Sequence, residues 1–391
     1  MSHRVAPLLL LLAASTFATG PSRPPSQSPP PVTVHEWGTF TSVAGEDGRA
    51  QEWVPRQAPS ELPCFVERLP LSVKGYLPGT VRMETPVLYF YAPTATVVDV
   101  NVRFPRGVVT EWYPRASVTP AVLDLGAYRR PQFESSISWP RVAVSPAATP
   151  AFPTESAPSH YYPARETDAA PVLAGSQAEK FLFYRGVGLF APPIEARISG
   201  DGQVAVRSSS GAPIGDLLYF VNDGGRIGYR FYQGSTGVLT LDPPALEEEE
   251  GATSPESELE RLLVGRGLYP KEAAAMVKTW RDSWFEQGRR LFYLMPAGMV
   301  DAVLPLTIRP APVSIVRAFV GRIELVTPAA VEGLMTALVG GDATAIRSYG
   351  RFLQPVADRV LAPLTEQQRA PFEQRLSSAY ADWVGAPATC R

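Results

Sequence analysis

Residues 217–232 have the sequence LLYFVNDGGRIGYRFY, in which two apolar and aromatic runs flank the turn residues Asn222, Asp223, Gly224 and Gly225. Asn and Gly accept the positive φ angles that tight hairpin loops require, whereas most other residues do not. Val, Ile, Tyr and Phe, which fill the two runs, are typical of strands. The segment therefore predicts a β-hairpin with antiparallel pairing.

Similar short runs, rich in Val, Tyr, Phe and Thr and bounded by Pro or Gly, recur as far as residue 242. Because no long segment with helical periodicity separates them, they favour antiparallel pairing over a doubly wound parallel sheet. The sequence predicts a mainly β protein with α elements, whose antiparallel β-sandwich-like region spans residues 33–242. The further runs are 87–91, 97–104, 108–113 and 181–184.

The pattern changes after this β-rich domain. Residues 243–253 include four consecutive glutamates, whose mutual repulsion predicts a solvated acidic linker. Residues 254–288 predict a helical hairpin, and apolar runs within 289–326 predict strands that return to the sheet. The hairpin is therefore expected to be an insertion between sheet elements, and residues 327–391 predict a helical C-terminal tail.

The helical hairpin is predicted from its helix starts and its apolar faces. Ser254 can cap a helix and Pro255 is favoured at the first helical position. A second helix starts at Pro270 and places Trp280 and Trp284 on one apolar face. We expect both tryptophans to be core residues.

The N-terminal residues predict export. Arg4 precedes a short apolar run and then small residues, so residues 1–20 resemble a secretory signal peptide. Residues 21–32, rich in Pro and Ser, predict an extended linker. No apolar stretch is long enough to cross a bilayer, which needs about 20 residues. The sequence therefore predicts a protein exported to the periplasm or the cell exterior, with no transmembrane segment.

Composition excludes several classes of function. The formal net charge is -2, with 36 Lys and Arg against 38 Asp and Glu, and no basic run stands out, so a nucleic-acid partner is not expected. The chain has no GxSxG, GxxxxGK[ST], GxGxxG or HExxH motif. We therefore predict no nucleotide or other cofactor.

Histidine and cysteine are scarce. Beyond the predicted signal peptide the chain has two histidines, His35 and His160, which cannot form a three-histidine metal centre. Its two cysteines, Cys64 and Cys390, are too far apart for a CxxC motif. In an oxidising compartment this even count predicts a Cys64–Cys390 disulfide that ties the tail to the β-rich domain.

His35, Glu36 and Glu84 are the candidate catalytic residues, since an imidazole and two carboxylates are suited to acid/base chemistry. His35 and Glu36 are adjacent, and on a strand they point to opposite faces unless the chain bends at Gly38. Glu36 or Glu84 would then hold the His35 ring, and a metal-assisted version would recruit His160. The alternative is that each is structural, with His35 tying a strand end to a neighbouring carboxylate.

Trp37, Lys180, His160, Tyr161 and Tyr162 are the candidate binding residues. The last three lie in the Pro-rich segment 140–172, which predicts a long irregular loop, and such loops often carry function. The alternatives are that the tyrosines simply cover the sheet, and that Lys180 and Glu84 belong to buried or half-buried ion pairs with partners such as Arg82.

Four aromatic blocks resemble those of a group of exported bacterial proteins of unassigned function. The blocks are HEWGTFTS at 35–42, METPVLYFY at 83–91, EKFLFYRGV at 179–187 and SWFEQG at 283–288. The resemblance implies a bacterial, exported protein. It implies no catalytic residue, cofactor or substrate.

The sequence thus favours an exported, envelope-associated binding or scaffolding protein, with an envelope ligand or a protein as partner. The alternative is an acid/base or metal-assisted hydrolase centred on His35, Glu36 and Glu84. The two differ in geometry, because catalysis requires these three side chains to converge on one pocket, whereas binding requires an accessible recognition surface.

Overall fold

The computed structural model describes residues 31–54, 62–69, 77–246 and 254–381. Its strands are β1 (Thr33–Ala44), β2 (Glu67–Arg68), β3 (Val81–Tyr91), β4 (Thr96–Pro105), β5 (Gly107–Tyr113), β6 (Ser117–Thr119), β7 (Glu134–Val144), β8 (Val172–Ala174), β9 (Gln177–Glu179), β10 (Leu182–Gly188), β11 (Ile194–Ile198), β12 (Val204–Ser208), β13 (Leu217–Asp223), β14 (Arg226–Tyr232), β15 (Leu239–Leu241), β16 (Gly288–Leu294), β17 (Leu306–Arg309) and β18 (Ser314–Leu325). Its α-helices are α1 (Leu125–Tyr128), α2 (Pro255–Gly265), α3 (Pro270–Trp284), α4 (Ala297–Val303), α5 (Pro328–Gly340), α6 (Ala343–Arg347), α7 (Leu353–Leu361) and α8 (Glu366–Ala381).

The predicted signal peptide at 1–20 lies outside the described residues. So do most of the predicted linkers at 21–32 and 243–253, and the last ten residues of the predicted C-terminal region.

Nine strands form the largest sheet, in the order β14-β13-β16-β18-β1-β3-β10-β5-β2. The predicted hairpin is present as β13 and β14, which pair antiparallel around Gly224 and Gly225. The predicted fold class, mainly β and largely antiparallel with a helical hairpin and a helical C-terminal region, is confirmed. One pair in the described part of this sheet is not antiparallel: β1 and β18, which are neighbours at the centre of the sheet, run parallel.

Two smaller sheets pack on one face of the nine-stranded sheet and complete the sandwich. One is built on the order β17-β4-β7-β8-β9, with β6 on β7, and the other has the order β11-β12-β15. The alternating apolar residues of β4 and β7 face inward, as expected for strands with one buried side. Buried residues that form this core include Val34, Phe40, Val100, Val102, Trp139 and Phe319.

Helices cover the opposite face of the nine-stranded sheet, hereafter the helix face. The hairpin α2–α3 packs on one part of this face through an apolar cluster that includes Trp280 and Trp284. The C-terminal helices pack on another part, around Trp53 and Leu338. Because β13 and β16 are neighbours in the sheet although α2 and α3 lie between them in the chain, the hairpin is an insertion into the sheet order.

Local sequence accounts for several helix boundaries. Ser254 caps α2, and the Thr327 side chain accepts a hydrogen bond from the Ala330 amide at the start of α5. Gly341 ends α5 with φ 70°, a conformation that glycine adopts without steric cost. The returning-strand segment also contains a helix, α4, which the sequence reading missed. No helix in the described part of the chain is long and apolar enough to cross a membrane.

Candidate functional site

A groove of about 630 Å³ lies where β1 begins, where β3 ends and where the two ends of the Pro-rich loop meet the sheet. This volume is within the range of about 300–1,000 Å³ that is typical of ligand pockets. Its walls combine apolar and polar groups in about equal measure, and it is open along one side. The lining residues include Pro31, Thr33, Tyr91, Pro93, Pro146, Thr167, Asp168, Pro171 and Lys180.

Backbone hydrogen bonds hold the walls of this Lys180 groove in place. The Ala170 amide donates to the Phe90 carbonyl of β3, and the Ser145 amide donates to the Pro171 carbonyl, which joins the two ends of the loop. The loop is the segment predicted at 140–172, although its first residues belong to β7. The fixed φ of the wall prolines further limits movement of the backbone. The groove is therefore formed before any ligand arrives.

Lys180 supplies the unpaired positive charge of the groove. Its side chain is half-buried, and among the described residues its ammonium group makes no hydrogen bond or ion pair. Burial lowers the pKa of Lys180, which nearby Asp168 partly offsets. Asp168 itself pairs with Lys271 at 2.6 Å. The predicted pairing of Lys180 with a carboxylate is therefore absent from the described part of the chain.

Thr167 adds a second unsatisfied polar group at the groove. Its Oγ1 atom is buried and has no hydrogen-bond partner among the described residues. A buried hydroxyl without a partner costs about 1–3 kcal/mol. The groove thus combines proline and alanine side chains with several hydroxyls, the Lys180 ammonium group and the Asp168 carboxylate, which is already paired with Lys271.

His35 lies behind the Tyr91 wall and is bound to a carboxylate that the sequence reading did not identify. Its Nδ1 atom is 2.7 Å from Oε2 of Glu272, and Tyr91 donates to Oε1 of the same carboxylate at 2.8 Å. Glu272 also accepts from the Tyr269 amide at 2.7 Å, which caps α3. His35 is 2% exposed and Glu272 is fully buried. The signal for Glu272 in the sequence is its position three residues after Tyr269, the residue that precedes the predicted helix start, where capping carboxylates occur.

Glu36 points to the opposite side of β1, as the alternation of a strand requires. Tyr184 donates to its Oε1 atom at 2.5 Å, and Arg317 of the neighbouring β18 donates to its Oε2 atom at 2.6 Å. The carboxylate is fully buried in the sandwich core. Burial and the Glu36 charge both raise the pKa of Tyr184, so this hydroxyl stays protonated.

Glu84 returns to the helix face but is directed toward the C-terminal helices. Thr41 donates to it at 2.7 Å and Arg351 at 2.5 Å. Burial favours a higher pKa, but Arg351 and Thr41 outweigh it and hold the pKa of Glu84 below its ordinary value. Its ionic partner is Arg351, not Arg82 or Lys180 as the sequence suggested.

The structure therefore does not bring His35, Glu36 and Glu84 into one pocket. Each is bonded to a different set of partners, and Glu36 is separated from the other two by the sheet itself. The metal version is not formed either, because His160 and His35 contact residues seven positions apart on α3, about 10 Å along its axis. Among the described residues, no group of three or more His, Cys, Asp and Glu side chains is arranged to hold a metal.

The other predicted binding residues anchor the loop and the core. His160 bonds to the Thr279 carbonyl at 2.6 Å and stacks on Trp280, while Tyr161 is buried and donates to Glu179. Tyr162 accepts from the Glu155 amide within the loop. Trp37 is fully buried beneath the helical hairpin. These aromatic side chains lie inward because the loop packs on α3 and the sheet, so Lys180 alone of the predicted binding set lines the groove.

Cys64 is disulfide-bonded. Cys390 lies outside the described residues, so its pairing with Cys64 stays a prediction.

Comparison with known proteins adds little. No family model matches the chain, and no curated protein matches it. A solved structure to which it is similar is the Fcho1 Mu homology domain of Danio rerio with a bound Eps15 peptide. The two are 10% identical, the match covers 77% of this chain and 99% of that chain, and the TM-score is 0.31. Likeness at this level carries no argument about function.

Proposed function

We propose that this chain is an exported binding or scaffolding protein of the bacterial cell envelope, and that the Lys180 groove holds an extended acidic segment of a protein partner. The unpaired Lys180 ammonium group supports this proposal most directly. A half-buried ammonium group has lost part of its hydration, and a carboxylate from a ligand would restore the lost interaction.

The shape of the groove supports an extended segment. It is open along one side and lined by proline, alanine and short polar side chains, so a chain can lie along it without being enclosed. A small metabolite that is recognised specifically is more often buried over most of its surface.

A binding role is also favoured over the hydrolase alternative by the placement of the predicted catalytic residues. Hydrolysis by His35, Glu36 and Glu84 needs all three at one reacting centre. Their partners place them at three separate positions, and each carboxylate is already occupied by hydrogen-bond donors. The Lys180 groove needs no such convergence.

A binding titration tests the proposal. The probe is a short acetylated and amidated peptide of alternating glutamate and alanine, with the corresponding lysine peptide as its counterpart. We expect the wild-type protein to bind the acidic peptide and not the basic one, and Lys180→Met to weaken binding about tenfold or more.

Lys278→Met is the matched control, because Lys278 is an exposed lysine paired with Glu166 and does not line the groove. It should leave the affinity unchanged. Failure of the acidic peptide to bind, or equal binding by Lys180→Met, would contradict the proposal.

Export is tested separately. Expression of the full chain in a Gram-negative host should give a product in the periplasm or medium whose intact mass lacks residues close to 1–20. Full-length product retained in the cytoplasm would contradict the exported role. It would not affect the proposal that the Lys180 groove binds an acidic segment.

A further inference from the structure

A second polar region lies on the helix face, at a level where three neighbouring strand pairs shift register. The β1–β3 pairing shifts between Trp37 and Thr39, and the β10–β3 pairing shifts between Phe183 and Gly186; both shifts begin opposite Val87. The β10–β5 pairing shifts beside them, next to Gly186. Bulges of this kind re-aim side chains and are frequent beside functional sites.

Backbone strain marks the same level. Thr85 has φ 43°, which is unfavourable for a β-branched residue. Its Oγ1 atom and that of Thr39, which lies opposite Glu84 in the β1–β3 pairing, are buried without hydrogen-bond partners in the described part of the chain. Such strain and unmet hydrogen-bonding capacity are more typical of a site than of ordinary core packing.

Charged side chains project from this level into the space between the helical hairpin and the C-terminal helices, and we call them the arginine belt. Glu324 bonds to Arg290 and Arg322, and Arg322 also bonds to Glu286. The full belt consists of Arg82, Arg185, Arg290, Arg322, Arg351, Glu84, Glu111, Glu286 and Glu324.

Arg82 is the exception within the belt, because every other arginine in it is paired with a glutamate. It is 7% exposed, its Nη1 atom is buried without a partner, and its side chain makes no hydrogen bond or ion pair with any described residue. Its guanidinium lies 5.7 Å from the centroid of the Trp53 ring. That contact faces only one side of the group and cannot satisfy its N–H donors.

The aromatic rings beneath the belt hold three guanidinium groups side by side. Trp53 contacts Phe352 with centroids 5.4 Å apart, and Arg322 and Arg351 lie over Phe352 at 5.1 and 5.0 Å. Together with Arg82 over Trp53, this places three guanidinium groups on two adjoining aromatic rings.

Arg82 is the arginine of the belt that has no carboxylate partner in the described part of the chain. The other four arginines each bind a glutamate there. Burial and the neighbouring Arg185 lower the pKa of Arg82 to about 9, so the guanidinium is still charged at neutral pH. A buried, unpaired charge is strongly unfavourable, and native proteins normally provide it with a counter-ion.

We propose that the arginine belt is a binding site for a small oxyanion, a phosphate or carboxylate group, which pairs with Arg82. The planar guanidinium suits both groups, because its parallel N–H donors match two oxygens of either anion. This site is separate from the Lys180 groove, and its occupation does not depend on the proposed partner.

Calorimetric titration of the full chain with inorganic phosphate and with succinate, at constant ionic strength set by sodium chloride, tests the proposal. We expect saturable binding of at least one of the two, and the preferred anion identifies the source of the group. Arg82→Met should weaken this binding at least about tenfold, since one buried charge-assisted pair is lost.

Arg103→Met is the matched control, because Arg103 pairs with Glu134 on a different sheet and is exposed. It should bind the anion like the wild type. Arg82→Met should also keep or raise its melting temperature in anion-free buffer, because it removes an unpaired buried charge.

If Arg82→Met does not fold, Arg82→Lys keeps the charge but loses the planar fork, and it should bind the anion more weakly than the wild type. No saturable binding of either anion by the wild type, or unchanged affinity in the folded Arg82 variant, would overturn the proposal.

Discussion

The Nδ1 atom of His35 lies 2.7 Å from Oε2 of Glu272, a residue 237 positions further along the chain. This bond joins the first strand of the sheet to the first turn of α3. Since a carboxylate only accepts hydrogen bonds, the His35 ring carries its proton on Nδ1. The same carboxylate accepts from Tyr91 and from the Tyr269 amide, so one buried side chain links a strand, a groove wall and a helix start.

Glu272→Gln should destabilise the protein by about 1–3 kcal/mol, because an amide has one acceptor oxygen where the carboxylate serves three donors. Urea unfolding would measure the change. Glu166→Gln is the control, since Glu166 is exposed and its pair with Lys278 is expected to contribute at most about 1 kcal/mol. A Glu272→Gln variant as stable as the wild type would show that the link is not structural.

Trp284→Ala should cost about 3–5 kcal/mol, from lost burial and an unfilled cavity. The side chain is fully buried in the cluster beneath the helical hairpin, with its ring centroid 5.5 Å from that of Phe292. Thermal unfolding and acidic-peptide binding should be measured on the same variant. A melting temperature equal to that of the wild type, with loss of peptide binding, would instead identify α3 as a binding face.

Because of Glu84, the free energy of unfolding should decrease at acid pH. Burial alone would raise its pKa, but Arg351 and Thr41 hold the pKa below the ordinary glutamate value of about 4.3. The contribution of Glu84 to the free energy of unfolding is therefore complete above about pH 4.3, the ordinary glutamate pKa. It is lost as the pH falls through the lower pKa that Glu84 has in the folded protein.

Glu84→Gln should accordingly be less stable than the wild type at neutral pH, and the difference should shrink toward about pH 3. Urea unfolding at several pH values would measure the free energy of unfolding of the wild type and of the variant. A difference between the two proteins that stays constant with pH would show that Glu84 does not have a lowered pKa in the folded protein.

The predicted Cys64–Cys390 disulfide should leave no free thiol in the exported protein under non-reducing conditions. Cys64 is disulfide-bonded, and the chain has one other cysteine. For so long a loop the chain-entropy model gives a stabilisation of at most about 5 kcal/mol. Titration that finds two thiols would rule out this pairing.

Local signals predicted much of the fold. The Asn222–Gly225 turn and the Ser254 cap each depend on the backbone conformation of a few consecutive residues, so they can be predicted from a single sequence. The parallel pairing of β1 and β18 could not be predicted, because the two strands lie at opposite ends of the sheet-forming sequence. No local turn motif indicates a contact between strands so far apart in the chain.

The candidate sites were less predictable because their parts come from distant segments. Lys180 was predicted as a binding residue. The prolines that wall the groove around it come from separate segments of the chain, which lie together only in the folded structure. The sequence suggested Arg82 as an ionic partner of Glu84. In the described part of the chain Arg82 instead has no ionic partner, since Glu84 bonds to Arg351, 267 positions away. Which carboxylate pairs with which arginine is determined by packing, not by spacing.

Hydrogen–deuterium exchange with and without the acidic peptide tests the account of this protein as a binding protein most directly. We predict that the peptide slows exchange in the segments around 91–92 and 167–170, which wall the Lys180 groove, and that Lys180→Met abolishes this protection. Protection at the helix face or elsewhere, or no protection at a peptide concentration that saturates binding, would contradict the assignment of the groove as the ligand site.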